Sequence, residues 1–228
     1  MTSRVAHTCS DRAARGAQRK SGARRDAAHL TRRATAKLAR LGVTAWRRIT
    51  QYRNHVFACD GISACPTGPA GLTIARYAKY EAIPDHIVSD MARDRGPRSL
   101  DDLRWELDHN AVAWVASIDG RVVSSSMSRQ GCHYTRWLTA LRPQDLVIFR
   151  NATAPEFRGR GLCPALMQHV MLHELKPGGQ VYVDCRVYNA PSIRSIEKAG
   201  FRWIATVKPV RRAEQLLPSS QTCRAGVR

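Results

Sequence analysis

A glycine-bearing turn between a predicted strand and a predicted helix constrains the fold of this chain more than any other segment. Residues 145–154 are rich in branched and aromatic side chains, which is typical of a strand, and residues 162–175 carry apolar side chains at helical spacing. Gly159 and Gly161 lie between the two. A turn of this kind exposes backbone N–H groups at the start of a helix, where they and the helix dipole can bind an anion. The segment therefore predicts a phosphate site within an α/β domain.

The same mixture of periods extends over residues 72–210, which we interpret as one folded domain. Apolar and polar side chains alternate along residues 181–187, as in a strand with two different faces. Asp119-Gly120 is a strong hairpin signal between two short apolar runs. The other predicted strands are 72–82, 111–118, 122–127 and 201–207, and the other predicted helices are 84–93, 99–108 and 191–199.

The first 71 residues differ from the rest in composition, and we interpret them as a basic N-terminal extension with a linker. Residues 1–50 contain 13 basic and two acidic residues, so they carry +11 of the net charge of +19. Disorder is predicted at the start and a weak amphipathic helix from Leu30. Such a segment favours an anionic partner, a membrane surface or a nucleic acid, but a transit peptide or a solvated appendage has the same pattern. Residues 211–228 are interpreted as a loose C-terminal tail.

Neither the cysteines nor the apolar runs indicate a metal site or a membrane span. The seven cysteines form no C-x-x-C pair, which argues against a zinc ribbon, and the chain is too long for a miniprotein held by disulfides. No apolar run approaches about 18 residues, so no transmembrane segment is predicted. We therefore expect no metal and interpret the protein as cytoplasmic.

Two common phosphate-binding motifs do not fit the glycine turn. A P-loop requires G-x-x-x-x-G-K-[ST], which is absent, and a dinucleotide fingerprint requires a glycine where Pro164 stands. Arg158 and Arg160 add positive charge beside the two glycines. On these features alone, the turn predicts an anion site without identifying the ligand.

The residues around the turn resemble the acyl-CoA motif of the GNAT superfamily, whose core reads [QR]-x-x-G-x-[GA]. Residues 153–163 read T-A-P-E-F-R-G-R-G-L-C, in which residues 158–162 fit and Cys163 stands where the family has Gly or Ala. Downstream, residues 189–192 (N-A-P-S) and 197–201 (E-K-A-G-F) resemble the second family signature, at the right separation from the first. The resemblance covers residues 72–210.

The resemblance implies a fold, a cofactor and a reaction. The implied fold is an α/β (α+β) domain of GNAT type, with a mixed, mostly antiparallel central sheet of about six to seven strands flanked by helices. A splayed pair of strands, 145–154 and 181–188, would hold the acyl-CoA. The implied reaction is transfer of an acetyl group from acetyl-CoA to an amine by direct attack in a ternary complex, without a metal. The motifs specify neither the amine acceptor nor the oligomeric state.

The resemblance also implies which residues bind the cofactor. Backbone N–H groups from Arg158 to Cys163 would bind the pyrophosphate, and the end of the preceding strand would pair with the pantetheine arm. Asn189 would hydrogen-bond the pantetheine, although it also fits a plain helix N-cap. The complete set comprises Ala152, Thr153, Ala154, Arg158, Gly159, Arg160, Gly161, Leu162, Cys163, Asn189 and Ser192.

The catalytic residues are less sharply indicated. A backbone N–H near Thr153 would stabilise the acyl oxyanion. The family's usual acid for the leaving thiolate is a tyrosine at the position of Ile196, so Tyr188 and Ser192 are candidates to replace it, with Ser195 beside them. The candidate general bases are His133, Asp145, Glu156 and Asp184.

Three further expectations concern the substrate and the class of function. Arg150 is predicted to share a strand face with Ile148 and to favour an acidic substrate. Cys163 and Cys185 are not expected to be covalent nucleophiles, because direct attack is the habit of the family. Ile196 keeps open a catalytically weak acyl-CoA-binding module, and the basic N-terminal segment keeps open a nucleic-acid-associated protein.

Overall fold

The computed structural model describes residues 52–61, 68–210 and 212–216. Within these residues seven strands form one sheet, in the order β2-β3-β4-β5-β6-β1-β7. The strands are β1 Asn54–Cys59, β2 Thr73–Tyr77, β3 Val112–Ile118, β4 Arg121–Gln130, β5 Leu146–Thr153, β6 Val181–Arg186 and β7 Arg202–Val207. Neighbouring strands are antiparallel except β5 and β6, which are parallel. The mixed, mostly antiparallel sheet that the family resemblance implies is confirmed.

Helices cover both faces of this sheet. They are α1 Asp85–Arg95, α2 Arg98–Asp108, α3 Leu162–Glu174, α4 Ala190–Lys198 and the short α5 Arg212–Gln215. On one face, Leu166 and Met167 of α3 pack in one cluster with Ile148 of β5 and Val183 of β6. On the other face, α1 and α2 pack against β3 and β4. The sheet is therefore the middle layer of an α/β sandwich.

The β3–β4 hairpin has the turn that its sequence predicts. Asp119 and Gly120 both have positive φ, 50° and 76°. Positive φ at both central residues defines the turn type that matches the twist of a two-residue hairpin. The hairpin fixes the register of β4, which in turn positions β5.

Strand β1 lies in the segment that the sequence analysis assigned to the N-terminal extension. It pairs antiparallel with β6 on one side and with β7 on the other. Val56 and Phe57 are almost completely buried. The folded domain therefore starts before residue 72, because the sheet needs this strand to join β6 to β7. The predicted disorder and helix before residue 52 lie outside the described residues.

The parallel pair β5 and β6 separates along its length. Cα pairing joins residues 146–148 to residues 181–183 and then stops, although β5 continues to Thr153 and β6 to Arg186. The second half of β5 therefore pairs with β4 alone. This opening between β5 and β6, called the slot below, is the splayed strand pair expected from the sequence.

Candidate functional site

The glycine turn follows β5 directly and opens onto solvent. Gly159 and Gly161 have φ of 80° and 76°, a left-handed conformation that favours glycine. A Cβ added at either position would meet no atom within 4 Å. Gly161 is the N-cap residue of α3. The backbone conformation therefore favours glycine at both positions. The space next to their Cα atoms is open.

The backbone N–H groups of the turn point to no acceptor in the described part of the chain. The first amide of α3 that bonds within the helix region is that of Ala165, which donates to the Gly161 carbonyl at 3.1 Å. The amides of residues 159–163 donate to no acceptor among the residues described. Pro164 has no N–H, and in the first turn of a helix this absence removes no hydrogen bond of the helix. Five amides without a partner in the described structure at a helix N-terminus, with those of Gly159, Arg160 and Gly161 in exposed residues, form an anion site.

Two arginines flank these donors without closing the turn. Arg158 donates from Nε to the Thr153 carbonyl at 3.3 Å, and Arg160 donates from Nη2 to the Glu156 carbonyl at 3.3 Å. The Arg160 guanidinium also lies 5.1 Å from the centre of the Phe157 ring. Both side chains are exposed, so their charge reaches the solvent side of the turn. The local charge favours an anion such as a pyrophosphate.

The free edge of β5 faces the slot. The Ala154 amide donates to the Val123 carbonyl of β4 at 2.9 Å. Because successive peptide groups of a strand point in opposite directions, the Thr153 N–H points away from β4, toward the slot. Ala152 and Thr153 pair on their other side with Ser125 and Ser124. The three residues predicted to contact the cofactor, Ala152, Thr153 and Ala154, thus border the slot or its end.

Arg150 does not share a face with Ile148, which corrects the prediction. The register of β4 and β5 shifts beside it, because the paired positions 149 and 152 of β5 are three apart whereas their partners on β4, 127 and 125, are two apart. Arg150 has φ 53°, unusual for a residue with a Cβ. This bulge turns Arg150 toward α2, where it contacts Asp102 at 3.0 Å and Glu106 at 3.1 Å.

The second predicted signature lies across the slot, at the end of β6. Asn189 caps α4 by accepting a hydrogen bond from the Ser192 amide at 3.3 Å. The Ser192 hydroxyl is also a hydrogen-bond partner of the Cys185 thiol. Tyr188 is 40% exposed, whereas Ile196 is buried in the core. Asn189 therefore acts as a helix N-cap, as one of its two interpretations predicts. Ile196 has no proton to donate to a leaving thiolate.

The candidate bases fall into different parts of the fold. His133 and Asp145 lie beyond the end where β5 and β6 are still paired, and Glu156 forms an exposed ion pair with Arg121. Asp184 follows Val183, the last residue of β6 that pairs with β5. Of the four, Asp184 is the one at the mouth of the slot.

The carboxyl of Asp145 has a structural role. It accepts hydrogen bonds from the Arg142 amide at 2.7 Å and from the Gln180 amide at 2.9 Å. Burial alone would raise the pKa of Asp145, but these bonds and the Arg142 guanidinium outweigh it and hold the pKa below its ordinary value. A stabilised carboxylate that fixes two loops is a poor base.

Asp184 lines a small cavity that the sequence did not reveal. The cavity has a volume of about 90 Å³ and also takes in Asn54, Glu106 and Tyr134. Burial raises the pKa of Asp184, against a hydrogen bond from Asn54 and the charge of Arg186. Asn54 donates from Nδ2 to Asp184, while its own Oδ1 is buried and has no partner in the described structure. A carboxylate and an orphan acceptor together suit a ligand that donates hydrogen bonds.

Buried polar side chains of β4 and α2 connect the two sides of this cavity. Arg129 and Glu106, each about 4% exposed, form an ion pair at 2.5 Å. Glu106 also forms the ion pair with Arg150 described above. The same strand, β4, is also rich in serine, and Ser124, Ser125, Ser126 and Ser128 are all buried. Polar residues on both faces of a central strand indicate a site more than a core.

The cysteines near the site are poor nucleophiles. Burial raises the pKa of the Cys163 thiol to about 11. Burial likewise raises the pKa of the Cys185 thiol to about 11, with the Ser192 hydrogen bond acting in the opposite direction. Since the thiolate is the reactive form, neither group is activated at neutral pH.

No group of three or more His, Cys, Asp or Glu side chains in residues 52–61, 68–210 and 212–216 is arranged to hold a metal ion. In the same ranges no helix has the length and apolar character needed to cross a bilayer.

The chain is similar to known acetyltransferases in sequence and in structure. A curated N-alpha-acetyltransferase of Sulfurisphaera tokodaii is 30% identical over 105 residues, which cover 44% of this chain and 62% of that protein. A GNAT acetyltransferase of Colwellia psychrerythraea matches with a TM-score of 0.51 at 14% identity, over 68% of this chain and 53% of its own. A tandem GNAT protein from the clavulanic acid pathway matches with a TM-score of 0.50 at 16% identity, over 68% and 51%.

These matches cover only part of each relative, between about half and three fifths of its length. The two structures are too distant in sequence to show more than the fold. The model of the Acetyltransferase (GNAT) family, in contrast, matches residues 80–201, more than half of the chain. This range contains the slot, the glycine turn and both predicted signatures. The chain belongs to the GNAT family of acetyltransferases.

Proposed function

We propose that this chain transfers an acetyl group from acetyl-CoA to an amine, with the cofactor in the slot and its pyrophosphate at the glycine turn. The observation that carries the proposal is the coincidence of five unbonded amides, in residues 159–163, with the opening of the sheet beside them. The family supports acyl transfer from an acyl-CoA. The N-alpha-acetyltransferase relative supports an amine as acceptor.

The residues of the turn fit this cofactor. Their amides would bind the pyrophosphate, and the edge of β5 from Ala152 to Ala154 would pair with the pantetheine arm as an added strand would. Bound acetyl-CoA supplies the acetyl group as a reactive thioester. The Thr153 N–H, which points into the slot, can donate to the acyl oxygen as negative charge develops there. Asn189 and Ser192 border the other side of the slot, at the end of β6.

We assign the amine to the small cavity beside Asp184. A protonated amine donates hydrogen bonds, the Asp184 carboxylate is an acceptor in this cavity, and Asn54 Oδ1 is a buried acceptor without a partner in the described structure. Because burial raises the pKa of Asp184, this carboxylate is a stronger base than an ordinary aspartate and can accept the proton of the amine. The acceptor is then a primary or secondary amine that attacks directly.

A second candidate function, an acyl-CoA-binding module with little turnover, is favoured by Ile196. Isoleucine has no ionisable group, so the family's usual acid is absent from this position, and the side chain is buried in the core. The hydroxyls of Tyr188 and Ser192 lie nearby on exposed or half-buried positions. A thiolate can leave with help from water, so the loss of the acid slows the reaction without preventing it.

Two measurements on the same protein distinguish the transferase from the binding module. Release of free thiol from acetyl-CoA is measured with a panel of amines, and acetyl-CoA binding is measured by calorimetry on the same protein. Turnover with at least one amine supports the transferase. Tight binding without turnover by any amine supports the binding module, and absence of binding contradicts both.

Replacement of Asp184 by asparagine tests the base. We expect Asp184→Asn to lower kcat by about 10²–10⁴, because a positioned base contributes that much. The wild-type rate should fall as pH drops through the raised pKa of Asp184, since the protonated acid cannot accept a proton, and the variant should lack that limb. The matched control is Asp60→Asn, an exposed aspartate that follows β1.

The melting temperature distinguishes this effect from misfolding. A raised carboxyl pKa means that stability is lost as pH rises through the pKa, because the folded chain disfavours the ionised form. At neutral pH, Asp184→Asn should therefore melt no lower than the wild type. A large loss of rate with an unchanged melting temperature supports the assignment, and an unchanged rate contradicts it.

The remaining assignments rest on the sequence. We propose a cytoplasmic location and a mechanism without a metal. An anionic partner for residues 1–50 also stays a prediction, since these residues lie outside the described structure.

A further inference from the structure

A second cavity lies on the α1–α2 side of the sheet, next to the β5 bulge. It has a volume of about 240 Å³. Arg95, the last residue of α1, and Arg150 of the bulge both line it. The other lining residues are Met91, Ser99, Leu103, Ala113, Val115, Ser125, Ser126, Met127, Asn151 and Ala152. The lining thus contains two cations and several hydroxyls or amides, and it contains no aspartate or glutamate.

The two arginines of this cavity differ in how their charges are compensated. Arg150 is paired with Asp102 and Glu106. Arg95 donates from Nη2 to the Ser125 hydroxyl, and it forms no ion pair with any carboxylate of the described residues. Arg95 is therefore a mostly buried cation with a neutral partner.

Such a charge is costly, and a ligand of opposite sign would offset this cost further than the charge of Asp94 alone does. Burial lowers the pKa of the Arg95 guanidinium, with Asp94 raising it and Arg150 lowering it further. A guanidinium remains charged in proteins, so the cost falls on the folded chain. The fork of a guanidinium matches a carboxylate in geometry, because two parallel hydrogen bonds can form.

The position of the cavity connects it to the reaction site. Its wall includes Arg150, Asn151 and Ala152, and Ala152 is also on the strand edge that borders the slot. Arg95 and Ala152 are shared with a smaller cavity of about 60 Å³ that continues to Thr153 and Arg158 and that Asp94 also lines. A ligand held by Arg95 would therefore lie beside the part of β5 where acyl transfer is proposed.

We propose that this cavity binds a carboxylate of the amine acceptor and that Arg95 is the residue that reads it. This inference rests on the proposed acetyl transfer and adds the substrate class, an amine that also carries a carboxylate. The carboxylate could belong to a small amino acid or to an acidic side chain near the amino terminus of a peptide. Both present the same chemistry to Arg95, and the experiment separates them.

The test measures binding of acetylated products, which needs no turnover. Two matched pairs are titrated calorimetrically into the CoA-saturated protein: N-acetylglycine with N-acetylglycinamide, and N-acetylated pentapeptides that begin with Glu or Gln. We expect the carboxylate member of at least one pair to bind at least about tenfold more tightly, as a charge-assisted bidentate contact allows. A preference in the first pair alone assigns a small acid, and in the second pair alone an acidic peptide.

Variants of Arg95 identify the residue responsible. Arg95→Gln should reduce the preference to within about twofold, and Arg95→Lys, which keeps the charge but loses the fork, should retain part of it. Arg93→Gln is the matched control, because Arg93 is exposed on the same helix and contacts Asp90. The Kd of CoA itself should stay unchanged in all three variants.

Several results would overturn the inference. Equal binding of acid and amide in both pairs contradicts it, and so does a preference that survives Arg95→Gln. A weaker Kd for CoA in Arg95→Gln, with the preference unchanged, would assign Arg95 to the cofactor instead. If no amine is acetylated while an Arg95-dependent preference is present, the carboxylate site stands and the proposed transfer reaction fails.

Discussion

A chain that begins at residue 60 is expected not to fold, whereas one that begins at residue 52 should fold with all seven strands. The difference is β1, which sits between β6 and β7. Its side chains Val56, Phe57, Ala58 and Cys59 are each less than 10% exposed, and their burial stabilises the fold by roughly 7 kcal/mol at about 1–3 kcal/mol for each side chain. This is comparable to the roughly 5–15 kcal/mol of a whole domain.

Circular dichroism and thermal melting of the two truncated chains measure this difference. Loss of β1 also exposes unpaired backbone on both β6 and β7, so aggregation should accompany the loss of the melting transition. Phe57→Ala in the full chain is a milder version and should cost about 3–5 kcal/mol. Cooperative melting of the chain that begins at residue 60 would show that β1 is dispensable.

The second large effect concerns the glycine turn. Gly161→Trp should weaken acetyl-CoA binding by at least about 100-fold, because the indole would fill the space in front of the amides of residues 159–163. The positive φ of 76° adds backbone strain on the order of 1–2 kcal/mol. Calorimetric titration of acetyl-CoA into both proteins gives the ratio of Kd values.

Gly178→Trp is the matched control for this strain. Gly178 has φ 71° and, like Gly161, no atom within 4 Å of an added Cβ, but it lies in the turn between α3 and β6. Both variants should lose a similar amount of stability, and only Gly161→Trp should lose the cofactor. Equal acetyl-CoA binding by the wild type and Gly161→Trp would remove the turn from the site.

The features that the sequence predicted well are local ones. The hairpin at Asp119-Gly120, the alternating strand β6 and the glycine turn before α3 depend on neighbouring residues, so their patterns are visible in a short window. The two family signatures then related the turn to the end of β6, across one helix and one strand. The fold class followed from these parts.

The features that the sequence missed depend on distant contacts. Strand β1 is buried on both faces, so it lacks a period of two, and Asn54 meets Asp184 across 130 positions of chain. The bulge at Arg150 reverses a side chain that simple alternation placed on the other face. The sequence around Arg95 does not show that its guanidinium forms no ion pair within the described residues, because most of the cavity beside it is lined by β3, β4 and β5, which are distant in sequence.

The central place of β1 sets the order in which this protein can become active during synthesis. β1 leaves the ribosome before the two strands that flank it, so it must wait for almost the entire domain to be made. Asn54 is made 130 positions before Asp184, so the contact between their side chains has to wait for β6. The proposed proton acceptor is therefore complete only after β6 has been made and has paired with β1, late in the synthesis of the domain.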